Sequence, residues 1–298
     1  MEARWSKLMR VMIFGCGYSG QAIANSYQAT GATVCGTARS AEKASQLTHA
    51  GINGFIFDGT EFSPELLAQL KEITHLIQSI PPGKDGDPLL KLITGRLSAL
   101  CPKLEWIGYL STVGVYGDHG GRWVTEETPG SPILGRSINR IDTEEGWTHE
   151  AEQADVTVAV LRLSGIYGPG RNAFVNLARG TARRIIKKNQ VFNRIRVEDI
   201  GEAALFLGHG RMRGIFNVTD DEPAPPQDVI LEAARLMGVE PPPEHDFETA
   251  EMTPMARSFY GANMRVSNAK IKDAGFRFHF PNYHMSLEQL WRDGIWRG

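Results

Sequence analysis

Four apolar residues, Val11-Met12-Ile13-Phe14, run straight into Gly15-Cys16-Gly17-Tyr18-Ser19-Gly20, and Ala22-Ile23-Ala24 follows at helical spacing. An apolar strand, a glycine turn and the start of a helix, in that order, leave few folds open. In such a unit Gly15 makes the tight turn, Gly17 lets the backbone approach a pyrophosphate, and Gly20 lets the helix pack closely on the strand. Phosphate oxygens would then meet the backbone amides of Gly17, Tyr18, Ser19 and Gly20 at the positive end of the helix. Cys16 reads as a small residue fitted into the turn rather than as a reactive thiol.

Short apolar runs at 32–36, 54–57, 76–79 and 106–110 then alternate with helix-compatible segments. Alternation of this kind predicts an α/β chain with a Rossmann-type, doubly wound parallel sheet. An amphipathic helix at 197–208 and a strand at 214–218 should return the chain to that sheet. The expected division is a dinucleotide-binding domain at 1–165, rejoined by 197–220, and a smaller C-terminal substrate-side lobe at 166–196 and 221–298. In the lobe, periodicity predicts helices at 228–237, ending at Gly238, from 265 to 275, and at 286–296.

The two strand ends after the glycine turn would meet the adenosine half of a dinucleotide. An acidic residue at the second would hydrogen-bond the ribose 2′-hydroxyl of NAD, but this chain offers Thr37, Arg39 and Ser40. The planar fork of an arginine fits a 2′-phosphate, so NADP is the expected cofactor, with NAD possible. Asp58, after the third strand, is placed either to meet the adenine edge or to cap a turn. Ser79, Ile80 and Pro81, after the fourth, should flank the ribose and nicotinamide.

Charge and cysteine usage narrow the partners. A net charge of -2 across 298 residues gives no general attraction for nucleic acid or an anionic membrane. The stretch 1–5 lacks the apolar run of a leader, and no segment is long enough to span a bilayer. Cys16, Cys35 and Cys101 have no metal-ligand spacing and no histidine forms a ligand pair, so no metal is expected and buried thiols in the cytoplasm are. A small-molecule substrate and a monomer or homodimer complete the expectation.

The fifth strand leads into Leu110-Ser111-Thr112-Val113-Gly114-Val115-Tyr116-Gly117. Later come Leu161-Arg162-Leu163-Ser164-Gly165-Ile166-Tyr167-Gly168-Pro169-Gly170-Arg171 and Arg194-Ile195-Arg196-Val197-Glu198-Asp199. Together these resemble the extended short-chain dehydrogenase/reductase superfamily, which includes nucleotide-sugar epimerases and dehydratases, over nearly the whole chain. The resemblance implies that Leu110, Ser111 and Leu163 lie along the cofactor, that Thr112 hydrogen-bonds the reacting oxygen, and that Tyr167, Arg171 and Arg194 lie on the substrate side.

One departure matters more than these matches. The family follows its V-Y-G with a Tyr-x-x-x-Lys pair; the Tyr moves the proton and the Lys holds the nicotinamide ribose. Aligned on Pro132, this chain has Arg136 and Arg140 at those positions, with Glu144 retained. Arg140 could still hold ribose hydroxyls, but an arginine stays protonated and cannot shuttle protons near neutral pH. Tyr116 is then the surviving candidate for the hydroxyl acid, beside Thr112, and Arg136, Arg171 and Arg194 suggest an anionic substrate such as a phosphate, carboxylate or sugar nucleotide. Two functions fit: an NADP-dependent oxidoreductase or epimerase-like enzyme, or a non-catalytic dinucleotide sensor that binds without turnover.

Overall fold

The computed structural model describes residues 9–133 and 135–298, apart from the side chain of Arg136. The stretch 1–5, read above for a leader, lies outside them. The chain divides into two units: Met1–Thr112, Leu134–Arg162 and Ile200–Phe216 form the first, and Val113–Ile133, Leu163–Asp199 and Asn217–Gly298 the second.

Unit 1 is built on a sheet of seven strands: β1 (Arg10–Phe14), β2 (Thr33–Ala38), β3 (Asn53–Ile56), β4 (His75–Gln78), β5 (Trp106–Thr112), β6 (Thr157–Leu163) and β7 (Gly214–Val218). Their order is β7-β6-β5-β4-β1-β2-β3, and β3, β2, β1, β4 and β5 run parallel. The order reverses direction between β1 and β4, the point at which a doubly wound sheet opens its ligand crevice beyond the strand ends. Helices α1 (Tyr18–Ala29), α2 (Ala41–His49), α3 (Pro64–Leu70), α4 (Pro88–Ile93), α5 (Gly135–Gln153) and α6 (Val197–His209) connect the strands.

The apolar run of β1 is buried from Val11 to Phe14, as expected of a strand covered on both faces. Met12 and Phe14 join Leu76, Ile107 and Trp147 in one core cluster. Ile13 points the other way, toward α1, where a Cβ on Gly20 would lie 3.2 Å from its Cγ2. The same face takes α6 backbone to backbone: a Cβ on Gly201 would stand 2.6 Å from the Ala22 carbonyl oxygen. Ser26 Oγ donates to Glu202 Oε1 at 2.7 Å and Tyr27 Oη to the Ala204 carbonyl at 3.1 Å, fixing that contact.

Unit 2 gathers its apolar residues from the short helix Ala173–Ala178, α7 (Pro226–Met237) and α8 (Tyr283–Arg292), with Phe174, Ala233, Leu287, Leu290 and Trp296 buried together. The helix α7 ends at Gly238 with φ 66, as the sequence predicts. The stretch 265–275 is not one helix. Arg265–Val266 pairs in parallel with Trp123–Val124, burying Val266, and the helix starts only at Ala269. Among the described residues no helix is long and apolar enough to cross a membrane, and no group of three or more His, Cys, Asp or Glu is arranged to hold a metal.

Candidate functional site

The three glycines of the turn face different surroundings. Gly15 has φ +80, and a Cβ there would come within 2.8 Å of Ile80 Cγ1. On Gly20 a Cβ would lie 3.0 Å from the Gly15 carbonyl oxygen. Gly17 has an ordinary φ of -89 as the N-cap of α1, and a Cβ on it would meet nothing within 4 Å. Protein packing therefore requires Gly15 and Gly20, whereas at Gly17 only open space faces the missing side chain. The first turn of α1 carries no acidic residue and its N-cap makes no side-chain hydrogen bond, so no side chain neutralises the positive helix end. A backbone-walled space at such an end fits a pyrophosphate in size and in sign.

Thr37 braces this turn from beneath. Its side chain is buried, its Oγ1 accepts from the Gly15 amide at 2.9 Å, and its carbonyl accepts from the Cys16 amide at 2.9 Å. It shapes the cradle and is not presented to a ribose. Cys16 is buried beneath the loop, where a Cβ on Gly36 would touch its Cβ at 2.8 Å, and burial pushes the thiol up to about 12. Beyond the end of β2, Arg39 is exposed, and Ser40 caps α2 by accepting from the Lys43 amide. Asp58 takes the turn-capping alternative: its Oδ1 accepts from Thr60 N at 2.9 Å and Thr60 Oγ1 at 2.6 Å, and those bonds lower its pKa. Ser79 and Ile80 follow β4, with the Ser79 amide on the Phe14 carbonyl; Pro81 is exposed.

The residues near the family's Tyr and Lys positions are committed to the protein itself. On α5, Arg140, Glu144 and Trp147 fall at spacings of four and three, on one face of the helix. Arg140 Nη1 donates to the Leu110 carbonyl and sits 3.4 Å from Tyr109 Oη, whose hydroxyl burial pushes up to about 12. Glu144 accepts from Ser111 Oγ and forms a buried ion pair with Arg162, Nη2 to Oε2 at 2.7 Å. Trp147 Nε1 donates to Asp87 Oδ2 at 3.0 Å. Ser111 is thus a buried anchor, and Leu110 contributes its carbonyl. Thr112 closes β5 half-buried. Arg136 lies on α5 with its side chain outside the described residues.

In unit 2 the expected hydroxyl acid lies in the interior. Tyr116 is fully buried, and its Oη donates to Asn217 Oδ1 at 2.7 Å. Tyr167 is 9% exposed, with burial and Asp220 pushing its hydroxyl up, and it belongs to the interior of the unit rather than to a substrate-facing surface. Arg194 spends Nη1 on the carbonyls of Phe192 and Ala224, at 2.9 and 3.1 Å, and burial lowers its pKa. Arg171 is exposed, next to the bridge it makes with Gly168. Leu163 is buried at the end of β6.

No role for Arg196 or Asp199 is legible in the sequence, and in the structure both hold the segment at 279–286. Arg196 is fully buried over the Phe280 ring at 4.2 Å and bonded to Ser286 Oγ, while Asp199 accepts from the amides of His279 and Phe280. The only signal for either was membership of the Arg194-to-Asp199 motif.

No protein-family model matches the chain. Protein YeeZ of Escherichia coli K12 is 28% identical over 290 residues, spanning 92% of this chain and 97% of that protein. A conserved protein of unknown function from Silicibacter pomeroyi is 41% identical, covering 96% of this chain and 99% of its own, with a TM-score of 0.87. UDP-glucose 4-epimerase from Thermus thermophilus, solved in complex with NAD, is 19% identical with a TM-score of 0.73 over 96% of this chain and all of its own, a likeness of fold. The chain belongs to the family of the Silicibacter protein.

Proposed function

We propose that the chain binds a nicotinamide dinucleotide across the strand ends of unit 1, NADP in preference to NAD, and works as an oxidoreductase or epimerase-like enzyme on a small anionic or sugar-nucleotide substrate. The open space in front of Gly17, at the start of α1, is the observation that carries this. The NAD held by the fold-related Thermus epimerase supports it. Exposed Arg39, with no acidic residue from Thr37 to Ser40, supports the 2′-phosphate. When bound, the nicotinamide supplies or accepts the hydride. Thr112 would hold the reacting oxygen, and Arg140 keeps the end of β5 in place through the Leu110 carbonyl. With Tyr116 buried, the proton must come from water or from the substrate itself.

That burial, together with the commitment of Arg140, favours the second function: a dinucleotide sensor that binds without turnover. Calorimetric titration with NADPH and NADH, followed by assays on sugar nucleotides and small carbonyls, separates the cases. Tight NADPH binding with turnover makes the chain an enzyme, and binding without turnover on any of them makes it a sensor. Tighter NADH binding overturns the cofactor preference, and failure to bind either overturns the proposal.

A further inference from the structure

A carboxylate outside every motif of the sequence gathers five hydrogen bonds. Asp87 is 3% exposed, between β4 and α4. Its Oδ1 accepts from Leu89 N at 2.8 Å, Leu90 N at 3.1 Å and Gln78 Nε2 at 2.7 Å; its Oδ2 accepts from the same Gln78 nitrogen at 2.8 Å and from Trp147 Nε1 at 3.0 Å. Capping α4 needs only the two backbone amides. The other donors come from elsewhere: Gln78 closes β4 and Trp147 stands on α5, both fully buried.

The clasp acts on the segment between its ends. Gln78 turns its Oε1 to accept from the Ile80 amide at 3.2 Å, so one side chain ties Ile80 to Asp87. Ile80 is in turn the wall against Gly15: a Cβ on Gly15 would meet Ile80 Cγ1 at 2.8 Å and Ile80 N at 3.1 Å. Farther along, Gly83 and Gly86 exchange backbone hydrogen bonds, and Asn139 Nδ2 holds the Gly83 carbonyl at 2.8 Å. The loop from Ser79 to Gly86 is therefore fixed at both ends and against the glycine turn. In a sheet of this order the β1-β2-β3 side receives the adenosine half of a dinucleotide, and the strand ends beyond β4 receive the nicotinamide half.

We propose that Asp87 is a positioning residue: by clasping Gln78 and Trp147 it sets the Ser79–Pro82 backbone that receives the nicotinamide half of the dinucleotide. This rests on the dinucleotide function proposed above. An Asp87→Asn variant keeps the size but turns an amide NH2 toward a surrounding made only of donors. Titration with NADPH and with adenosine 2′,5′-bisphosphate, which carries the adenosine half alone, gives a readout that general damage would not split; NADH and ADP replace them should the wild type prefer NADH.

The expected result is NADPH affinity down by about tenfold or more, the scale of losing a bond to a charged group, with the half-ligand within about twofold of wild type. Trp147→Phe, which removes one donor and keeps a ring, should shift NADPH binding the same way by about threefold, and it stands in if Asp87→Asn does not fold. Equal losses on both ligands, or folded variants with unchanged NADPH affinity, overturn the positioning role alone. A wild type that binds neither ligand overturns the dinucleotide function and this inference with it.

Discussion

The glycine turn after β1 and the face of α5 that carries Arg140 and Glu144 have opposite characters. At the turn, Thr37, Cys16 and Ile80 hold the backbone from behind and leave space in front of Gly17. On α5 the polar side chains that could serve a ligand are consumed internally, by the Leu110 carbonyl, Ser111, Arg162 and Asp87. A cradle survives when its ligand contacts come from the backbone, because side chains around it can change without closing it. Side chains have no such protection: with Arg140 tied to the end of β5 and Glu144 to Arg162, this face of α5 acts as a clamp.

If α5 is a clamp, breaking it should cost stability. Glu144→Ala removes the carboxylate that pairs with buried Arg162, and about 3–5 kcal/mol should be lost. Urea unfolding measures it; a loss under about 1 kcal/mol would show that the buried pair does not hold α5 to the sheet.

The turn should respond in binding instead. Arg39→Ala should weaken NADP(H) by about 1–3 kcal/mol while leaving NAD(H) unchanged, since only the 2′-phosphate is lost as a partner. Calorimetric titration of both cofactors decides it, and equal losses would remove Arg39 from the 2′-phosphate site.

Tyr116→Phe sharpens the contrast. Removing the buried hydroxyl leaves Asn217 Oδ1 without that donor, so about 1–3 kcal/mol of stability should go while cofactor affinity and any turnover stay near wild type. A fall in turnover of about a hundredfold or more on an identified substrate would restore Tyr116 as the acid.

The smallest effect concerns His75, buried at the start of β4 with Nε2 near the Gly208 carbonyl at 3.1 Å. Burial lowers its pKa from 6.5, so the folded state favours the neutral ring and the unfolded state binds the proton first. Its contribution is present above about pH 6.5 and lost as pH falls below it toward the folded pKa. Urea midpoints from about pH 7.5 down to 5.5 should fall less in His75→Gln than in wild type. Parallel curves would mean that His75 does not couple.

Much of the fold was legible because apolar strands alternate with glycine and polar punctuation, and because the glycine spacing names its own backbone geometry. Strand ends were less so: β2 continues to Ala38, past the expected 36, and that extension turns Thr37 inward as a brace. The direction of a side chain at a strand end is set by what covers it, which local sequence does not encode. Tyr116 shows the same gap at longer range, since the Asn217 that takes its hydroxyl lies 101 residues on. Asp87 caps α4 just before Pro88, and nothing near it in sequence points to Gln78 or Trp147 as further partners. Arg265 misled because its segment finds a strand partner at Trp123.

The central claim, a backbone cradle open for a pyrophosphate, is tested most directly at Gly17. Gly17→Val adds a Cβ that meets no protein atom beyond its chain neighbours within 4 Å, at an ordinary φ of -89, so the fold should tolerate it. Thermal melting paired with calorimetric titration should show a melting temperature within about 2 °C of wild type and dinucleotide binding weakened beyond about a hundredfold, because valine fills the phosphate position. A folded Gly17→Val protein that binds NADPH as tightly as wild type would contradict the account.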